Sequence, residues 1–345
     1  MDKYIFNDKL KTCLTKISNG LQELFHRQAV TLENMDIIFN NDNISFSKKD
    51  SVFYHVPNIK PFSYIASFDL DWTLSYNERH LYPKNEDDIF IIPDRRNILV
   101  KLIKKGYTLC IFTNQYAVSN KEKEKKVQRV SNFLKKIKLP IYTFISTEKD
   151  IYRKPNIGMF NLLLDIIHVD SIFYTGDALG RPQDFSDSDS VFSKNIRAEL
   201  IIPEELFPTS PPIQFFSKNE LVLFVGMPGS GKTDYYNNYL TDHIHINQDL
   251  LKTKKKVINT FLMSINSGIS IVIDGTNPSQ EDRELFYNYA IDNNYKIRVL
   301  YFIKNGTGWN KLRSKPVPTI SYHIFFKKLV PPTLLNTPGE LFFIY

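Results

Sequence analysis

Short apolar runs alternate with longer stretches of helical period from Tyr64 onwards. Successive parallel strands need a crossover connection, usually a helix, so this alternation predicts an α/β protein with parallel sheets. In the first half of the chain we predict strands at residues 64–70, 107–112, 141–145 and 172–175, with helices near residues 94–105, 121–136 and 156–168.

A cluster of chain-breaking residues at 207–212 contains three prolines and precedes a second series of the same kind. Its strands are predicted at residues 221–225, 243–246, 269–273 and 297–302, and its helices at 232–240, 250–264 and 279–292. We therefore predict two doubly wound parallel-sheet domains, residues 52–206 and 219–345, joined by a linker at 207–218. Residues 1–51 form a segment of unknown role, with a short amphipathic helix near 14–25 and a turn at 40–43.

Composition narrows the class of protein. The 345 residues are 42% apolar and include two cysteines, Cys13 and Cys110, which excludes a disulfide-stapled scaffold and favours a reducing compartment. Neither a signal peptide nor an apolar run long enough to span a bilayer is present, so we expect an intracellular monomer, nuclear or cytoplasmic. The net charge is 44 − 37 = +7, which suits a polyanionic partner such as nucleic acid or follows from abundant lysine alone.

A glycine-rich loop between the strand at 221–225 and the helix at 232–240 fits the pattern G-x-x-x-x-G-K-[ST]. Its glycines let backbone amides turn toward one anion, and the helix N-terminus adds its dipole. The lysine would contact the β- and γ-phosphates of a nucleotide, and the threonine hydroxyl would ligate Mg²⁺. The predicted ATP site consists of Gly226, Met227, Pro228, Gly229, Ser230, Gly231, Lys232 and Thr233.

Two carboxylates accompany this loop. Asp274 ends the strand at 269–273, where it could enter the Mg²⁺ shell. Asp249 ends another strand and could accept a proton from an attacking hydroxyl, although it could instead cap the helix that follows.

A second constellation occupies the first half. Asp69 and Asp71 follow the strand at 64–70, and Thr113, Lys154 and Asp177 follow in chain order, each at or after a predicted strand end. The carboxyl ends of parallel strands share one edge of the sheet, so we expect these side chains to converge.

These residue types suit phosphoryl transfer through an aspartyl phosphate. Asp69 would attack phosphorus, and Asp71 would protonate the leaving oxygen and then deprotonate water. Mg²⁺ would be held by Asp69, Asp177 and the backbone carbonyl of Asp71. Thr113 and Lys154 would supply donors to the phosphoryl oxygens. The alternative is that the two aspartates cap a turn and the lysine lies on the surface.

Together the two sites resemble the bifunctional polynucleotide kinase 3′-phosphatase family, in which a haloacid dehalogenase-type phosphatase precedes a P-loop kinase. The resemblance extends from about Val52 to the C-terminus and rests on runs such as Tyr152-Arg153-Lys154-Pro155, Gly176-Asp177-Ala178-Leu179-Gly180-Arg181-Pro182, Asp184-Phe185-Ser186 followed by Asp189, Ile273-Asp274-Gly275-Thr276-Asn277-Pro278, and Pro331 with Glu340. It implies removal of 3′-phosphates and ATP-dependent phosphorylation of 5′-hydroxyls at DNA strand breaks, with Mg²⁺. It also implies Asp249 as the base that activates the 5′-hydroxyl.

Three positions depart from the family pattern. Trp72 stands where glycine is usual, and would either stack on a terminal base or crowd the site. Gln248 stands where arginine is frequent. Lys311 replaces an arginine that acts on the transferring phosphate, a role that Arg313 could take over. Larger members carry an N-terminal phosphopeptide-binding module, for which residues 1–50 are too few.

Other functions remain open at this point. The same chemistry could serve RNA ends, because nothing in the sequence reports on recognition of a 2′-hydroxyl. The three departures would also suit a protein that binds broken ends without turnover. A fusion of a metabolite phosphatase with a small-molecule kinase is the fourth hypothesis.

Overall fold

The computed structural model describes residues 44–78, 81–207 and 213–345. These residues form a seven-stranded sheet, a five-stranded sheet and a two-stranded ribbon. The predicted helix at 14–25, the turn at 40–43 and the proline-rich part of the linker lie outside the described residues.

The first half of the chain contains the seven-stranded sheet. The strands of this half, including the two of the ribbon, are β1 (Ser47–Lys49), β2 (Val52–His55), β3 (Tyr64–Phe68), β4 (Ser75–Tyr76), β5 (Phe90–Ile91), β6 (Tyr107–Asn114), β7 (Ile141–Ser146), β8 (Ser171–Thr175) and β9 (Glu199–Leu200). Its helices are α1 (Arg95–Lys104), α2 (Asn120–Ile137), α3 (Gly158–Leu164), α4 (Ser188–Asn195) and α5 (Pro203–Leu206).

The strand order of this sheet is β1-β2-β7-β6-β3-β8-β9, while β4 and β5 form the ribbon. Strands β7, β6, β3, β8 and β9 are parallel, which confirms the predicted α/β architecture. Strands β1 and β2 are the exception, since they pair antiparallel along one edge. The pattern did not predict them because they are short and β1 is polar and exposed.

The second half contains a parallel sheet of order β11-β12-β10-β13-β14. Its strands are β10 (Glu220–Gly226), β11 (Ile244–Asn247), β12 (Ile271–Asp274), β13 (Lys296–Phe302) and β14 (Glu340–Ile344). Its helices are α6 (Lys232–Tyr239), α7 (Gln248–Leu251), α8 (Lys254–Ser264), α9 (Gln280–Asp292), α10 (Thr307–Lys311) and α11 (Thr319–Lys328), with a 3₁₀ turn at Ile265–Ser267. The single helix predicted at 250–264 is two helices, because Thr253 leaves the helical conformation and caps α8.

The two halves pack against each other. Tyr76 of β4 and Ile92 lie in the same apolar cluster as the buried residues of β10 and β13. The hydroxyl of Tyr301 donates a hydrogen bond to Glu78 (3.2 Å), and that of Tyr345 donates to Asp94 (3.1 Å). The described residues from 44 onwards therefore form one compact unit. Among the helices described, none is long and apolar enough to cross a bilayer.

Candidate active sites

The first candidate site lies at the carboxyl edge of the seven-stranded sheet. Asp69 directly follows β3, and its backbone amide donates to the carbonyl of Thr175 on β8 (2.8 Å). Thr113 lies near the end of β6, and Asp177 follows β8. The parallel strands thus bring together residues that are more than a hundred positions apart in the chain.

Lys154 is the centre of this site. Its side chain is 2% exposed, and its Nζ atom lies 2.6 Å from Asp69 Oδ1 and 2.8 Å from Asp189 Oδ1. It also donates to the hydroxyl of Tyr174 (2.8 Å). The side-chain amide of Asn114 exchanges two 3.0 Å hydrogen bonds with the backbone of Lys154, which ties this loop to the end of β6. Lys154 is therefore a fixed, buried cation and not a surface lysine.

Three carboxylates surround that cation. Oxygens of Asp69, Asp177 and Asp189 lie within 4.8 Å of one another. Burial raises the pKa of Asp69 to about 7 against the opposing charge of Lys154, and burial together with Asp69 and Asp189 raises that of Asp177. Clustered carboxylate oxygens are the ligands that Mg²⁺ prefers, and a divalent cation would relieve their mutual repulsion. The residues present thus fit a magnesium site.

Asp189 supports this cluster from behind. Its carboxylate accepts hydrogen bonds from the hydroxyl of Tyr174 (2.7 Å) and the backbone amide of Ala178 (3.0 Å). A Cβ atom on Gly176 would overlap the Asp189 carboxyl group, so the glycine in Gly176-Asp177 permits this close approach.

Asp71 is held separately from the cluster. Arg129 contacts both of its oxygens, Nη2 to Oδ1 at 2.6 Å and Nη1 to Oδ2 at 3.2 Å. The side-chain amide of Gln115 donates to Oδ2 (2.7 Å) and to Thr113 (3.0 Å). Burial acts to raise the pKa of Asp71, but Arg129 and Gln115 outweigh it, so the pKa lies below its ordinary value. The resting carboxylate is ionised and fixed in orientation.

Arg129 reaches this position because α2 begins at a well-defined point. The Ser119 side chain accepts a hydrogen bond from the Glu122 amide (3.2 Å), and the Glu122 side chain accepts one from the Ser119 amide (3.3 Å). This capping box fixes the start of α2, three turns before the arginine.

The second candidate site is the glycine-rich loop between β10 and α6. Gly229 and Gly231 have φ values of +77° and +89°, which only glycine adopts at little cost. Lys232 begins α6, and its Nζ atom donates to the carbonyls of Gly226 (3.0 Å) and Met227 (2.7 Å). Burial lowers the pKa of Lys232 to about 8. In this state the lysine lies folded against its own loop.

Asp274, at the end of β12, lies beside the loop. Its Oδ2 atom accepts hydrogen bonds from Thr233 (2.8 Å), His245 Nε2 (3.0 Å) and Asn247 (2.7 Å). Burial acts to raise its pKa, but the hydrogen bonds from His245 and Thr233 outweigh it and lower the pKa. An ionised carboxylate next to a threonine hydroxyl fits a magnesium site at a nucleotide phosphate.

The remaining kinase candidates line or flank a cavity of about 1130 Å³ that contains the glycine-rich loop. Asp249 and Arg313 face each other across 3.9 Å, with side chains 83% and 43% exposed. Lys311, two residues before Arg313, ends α10 and is exposed. Asp249 does not cap α7, because the side chain of Asn247 accepts the capping hydrogen bond from Leu250 (3.0 Å).

Known proteins of similar sequence match both halves of this chain. The family model described as polynucleotide kinase 3 phosphatase matches residues 64–207. A candidate bifunctional polynucleotide phosphatase/kinase of Acanthamoeba polyphaga mimivirus is 30% identical over 318 residues, covering 72% of this chain and 75% of that protein. This chain belongs to the bifunctional polynucleotide phosphatase/kinase family. The resemblance predicted from the motifs is thereby confirmed.

Two further relatives outline the extent of the match. The bifunctional polynucleotide phosphatase/kinase of Schizosaccharomyces pombe is 28% identical over 334 residues, covering 84% of this chain and 82% of that protein. The polynucleotide 3′-phosphatase ZDP of Arabidopsis thaliana is 32% identical over 174 residues, covering 43% of this chain and 25% of that protein.

The sequence analysis did not identify several residues that contribute to the two sites. Arg129 follows a lysine-rich stretch that resembles a solvated helical face, and its partner Asp71 is 58 positions away. Gln115 and Asn114 directly follow Thr113, so the run Thr113-Asn114-Gln115 was the available signal. Other residues overlooked were Tyr174, His245 and Asn247, each of which contacts a predicted site residue.

Proposed function

We propose that this chain heals nucleic-acid strand breaks by removing 3′-phosphates at the first site and phosphorylating 5′-hydroxyls with ATP at the second. The observation that carries the first activity is Lys154 between Asp69 and Asp189, with Asp177 beside them. DNA ends are the proposed substrates, in line with the net charge of +7. We assign the phosphatase to residues 52–206 and the kinase to residues 219–345.

In the phosphatase reaction Asp69 attacks the 3′-phosphorus and the bond from phosphorus to the 3′-oxygen breaks. Asp71, ionised at rest, takes up a proton from solvent as the phosphate monoester binds and gives it to that oxygen. It then takes a proton from the water that cleaves the aspartyl phosphate and restores Asp69. Lys154 fixes the nucleophile, while Thr113 donates to a phosphoryl oxygen.

In the kinase reaction Asp249 accepts the proton of the 5′-hydroxyl, whose oxygen attacks the γ-phosphorus of ATP. ADP leaves as the bond from the γ-phosphorus to the β,γ-bridging oxygen breaks. The amides at residues 226–233 bind the phosphates, and Lys232 turns from its own carbonyls to them. Arg313 lines the cavity and Lys311 lies two residues before it at the end of α10, and both supply positive charge to the transferring group.

Magnesium fits both sites. In the first, Asp69, Asp177 and the backbone carbonyl of Asp71 would hold it, and in the second, Thr233 and Asp274. In either site the ion would neutralise charge between an anionic phosphate and the carboxylates around it.

A nicked duplex with a 3′-phosphate and a 5′-hydroxyl tests the proposal. With ATP and Mg²⁺, both ends should be converted and a ligase should then seal the nick, which denaturing electrophoresis of end-labelled strands would reveal. Matched RNA strands and a panel of sugar phosphates and nucleosides test the substrate class. If neither nucleic-acid end changes, the proposal is wrong.

The role of Asp249 has its own test. Asp249→Asn should lower 5′-phosphorylation by about 10²–10⁴-fold, because general bases contribute that much, and leave 3′-dephosphorylation unchanged. Asp242→Asn is the matched control, since Asp242 is also exposed but does not line the cavity. Equal kinase rates for the two variants would remove Asp249 from the mechanism.

A further inference from the structure

The loop that carries Asp71 is anchored in the other half of the molecule by its neighbour, Trp72. The indole of Trp72 packs against an apolar cluster formed by Met227, Tyr322, Phe325 and Phe326. It also packs against the core cluster that surrounds β10 and β13. The apolar contacts of Trp72 are therefore with the second half of the molecule.

The backbone conformation of Trp72 is one that a tryptophan rarely adopts. Trp72 has a φ of +63°, in the left-handed region where glycine is favoured and a bulky side chain is disfavoured. Its amide donates to the carbonyl of Ser75 (2.6 Å), which closes a tight turn directly after Asp71. A tryptophan at such a position persists only when the contacts of its side chain offset the strain.

The two ends of this turn are held by different halves of the molecule. On one side, Arg129 of α2 fixes the Asp71 carboxylate. On the other side, the indole of the next residue is held by side chains of α11 and the glycine-rich loop. Because the indole and the carboxylate belong to consecutive residues, movement of one moves the other.

We propose that Trp72 is a positioning residue for the phosphatase reaction, and that it holds the Asp71 turn by means of the apolar cluster on the kinase side. The inference rests on the proposed 3′-phosphatase activity. It gives the second half of the chain a part in the chemistry of the first, in addition to its own reaction.

The contact between the halves does not depend on this residue alone. Glu78 accepts a hydrogen bond from Tyr301, and Asp94 accepts one from Tyr345. Arg95 lies over the Tyr345 ring at 4.8 Å. A variant at Trp72 is thus expected to keep the two halves together while freeing the Asp71 turn.

Trp72→Gly separates a positioning role from a purely local one. Glycine relieves the backbone strain, so without a positioning role the variant would be as active as the wild type or more stable. With it, kcat for an oligonucleotide 3′-phosphate should fall about tenfold or more, because a misplaced general acid loses much of its effect, while KM stays within about twofold. Trp72→Phe, which restores an aromatic ring, should recover most of kcat.

The leaving group gives a second readout. p-Nitrophenolate leaves without a proton, so hydrolysis of p-nitrophenyl phosphate should fall less than about threefold in Trp72→Gly. A general loss of folded protein would lower the rates of hydrolysis of both substrates equally. Circular dichroism and thermal unfolding of each variant check that the chain is folded.

A substitution in the apolar cluster on the kinase side tests the positioning role without any change at Trp72. Phe326→Leu reduces the apolar cluster and should lower the phosphatase kcat severalfold, whereas Ile320→Ala, on the exposed face of the same helix, should not. If wild-type protein releases no phosphate, the proposed function fails. If it does, the inference is overturned by a wild-type kcat in Trp72→Gly, by a loss confined to KM, or by equal rates for Phe326→Leu and Ile320→Ala.

Discussion

The two candidate sites differ in how far their side chains are already arranged. In the first, Lys154 is buried and contacts Asp69 and Asp189 directly, and Asp71 is clamped by Arg129. In the second, Lys232 is bonded to carbonyls of its own loop, and Asp249 is 83% exposed, with Arg313 3.9 Å away. The side chains of the first site are held by one another, whereas the lysine of the second is held by its own loop.

Their position in the fold explains the difference. In the first site, Asp69, Thr113 and Asp177 lie at or just after strand ends, above a core that includes Phe112, Phe144 and Phe192. Lys154 lies in a loop, but Asn114 at the end of β6 holds its backbone. The second site relies on the glycine-rich loop and on the segment around α10, whose first residues pack against that loop at Gly229. Sites on strands are held more tightly than sites on loops.

The charged groups of the two sites also differ in burial. A buried lysine among carboxylates requires that every partner remain in place, because an unpaired buried charge is strongly destabilising. An exposed pair such as Asp249 and Arg313 contributes little to stability and can rearrange at little cost in free energy.

Removing the central residue of each site should produce the largest effects. Asp69→Asn should lower 3′-dephosphorylation by more than about 10³-fold, since the nucleophile is lost, and leave the kinase intact. Lys232→Met should lower 5′-phosphorylation by about 10²–10³-fold, since a preorganised charge is lost, and leave the phosphatase intact. Initial rates on the two ends of one nicked duplex measure both.

Asp165→Asn and Lys255→Met, at exposed positions, are the controls for these variants. Loss of both activities in either single variant, in folded protein, would contradict two independent sites.

Two arginines test the contrast between a clamped and an open site. Arg129→Met should reduce the free energy of unfolding by about 1.5–3 kcal/mol, because it removes charged hydrogen bonds from a partly buried carboxylate. Arg313→Met should change it by less than about 1 kcal/mol, because its ion pair is exposed. Urea unfolding measures both values.

Each arginine variant should affect the activity of its own site only. Arg129→Met should slow only the phosphatase, and Arg129→Lys should recover part of the rate. Arg313→Met should slow only the kinase, with Lys311→Met measured beside it. Similar stabilities for the two arginine variants would mean that the first site is no more firmly built than the second.

The sequence predicted what local patterns encode. Strand ends followed by carboxylates located Asp69 and Asp274, and the glycine spacing located the loop before Lys232, because these features are contiguous in the chain. The parallel strands β3, β6, β7 and β8 fall within two residues of their predicted ends.

What remained hidden depends on contacts between distant segments. Arg129 acquires its partner only when α2 packs beside the turn after β3, and Trp72 only when the two halves meet. Strand β14 and helix α11 lie in a tail where prolines interrupt the periodicity. Strand β1 has no apolar run, and the apolar run of its neighbour β2 is only three residues long.

The smallest expected effect concerns that edge of the first sheet. His55 on β2 is buried, its Nδ1 atom donates to the carbonyl of Ser45 (2.9 Å), and burial lowers its pKa below the ordinary value of 6.5. As the pH falls below 6.5, the unfolded chain therefore binds a proton before the folded chain does, and stability decreases. In His55→Gln this loss should be absent, so the free energy of unfolding should vary less between pH 5 and 6.5 than in the wild type. Urea unfolding across that range, with the exposed His168→Gln as control, measures the difference. A parallel dependence in His55→Gln and wild type would indicate that β2 unfolds apart from the core that supports the first site, and would weaken the claim that this half is fixed throughout.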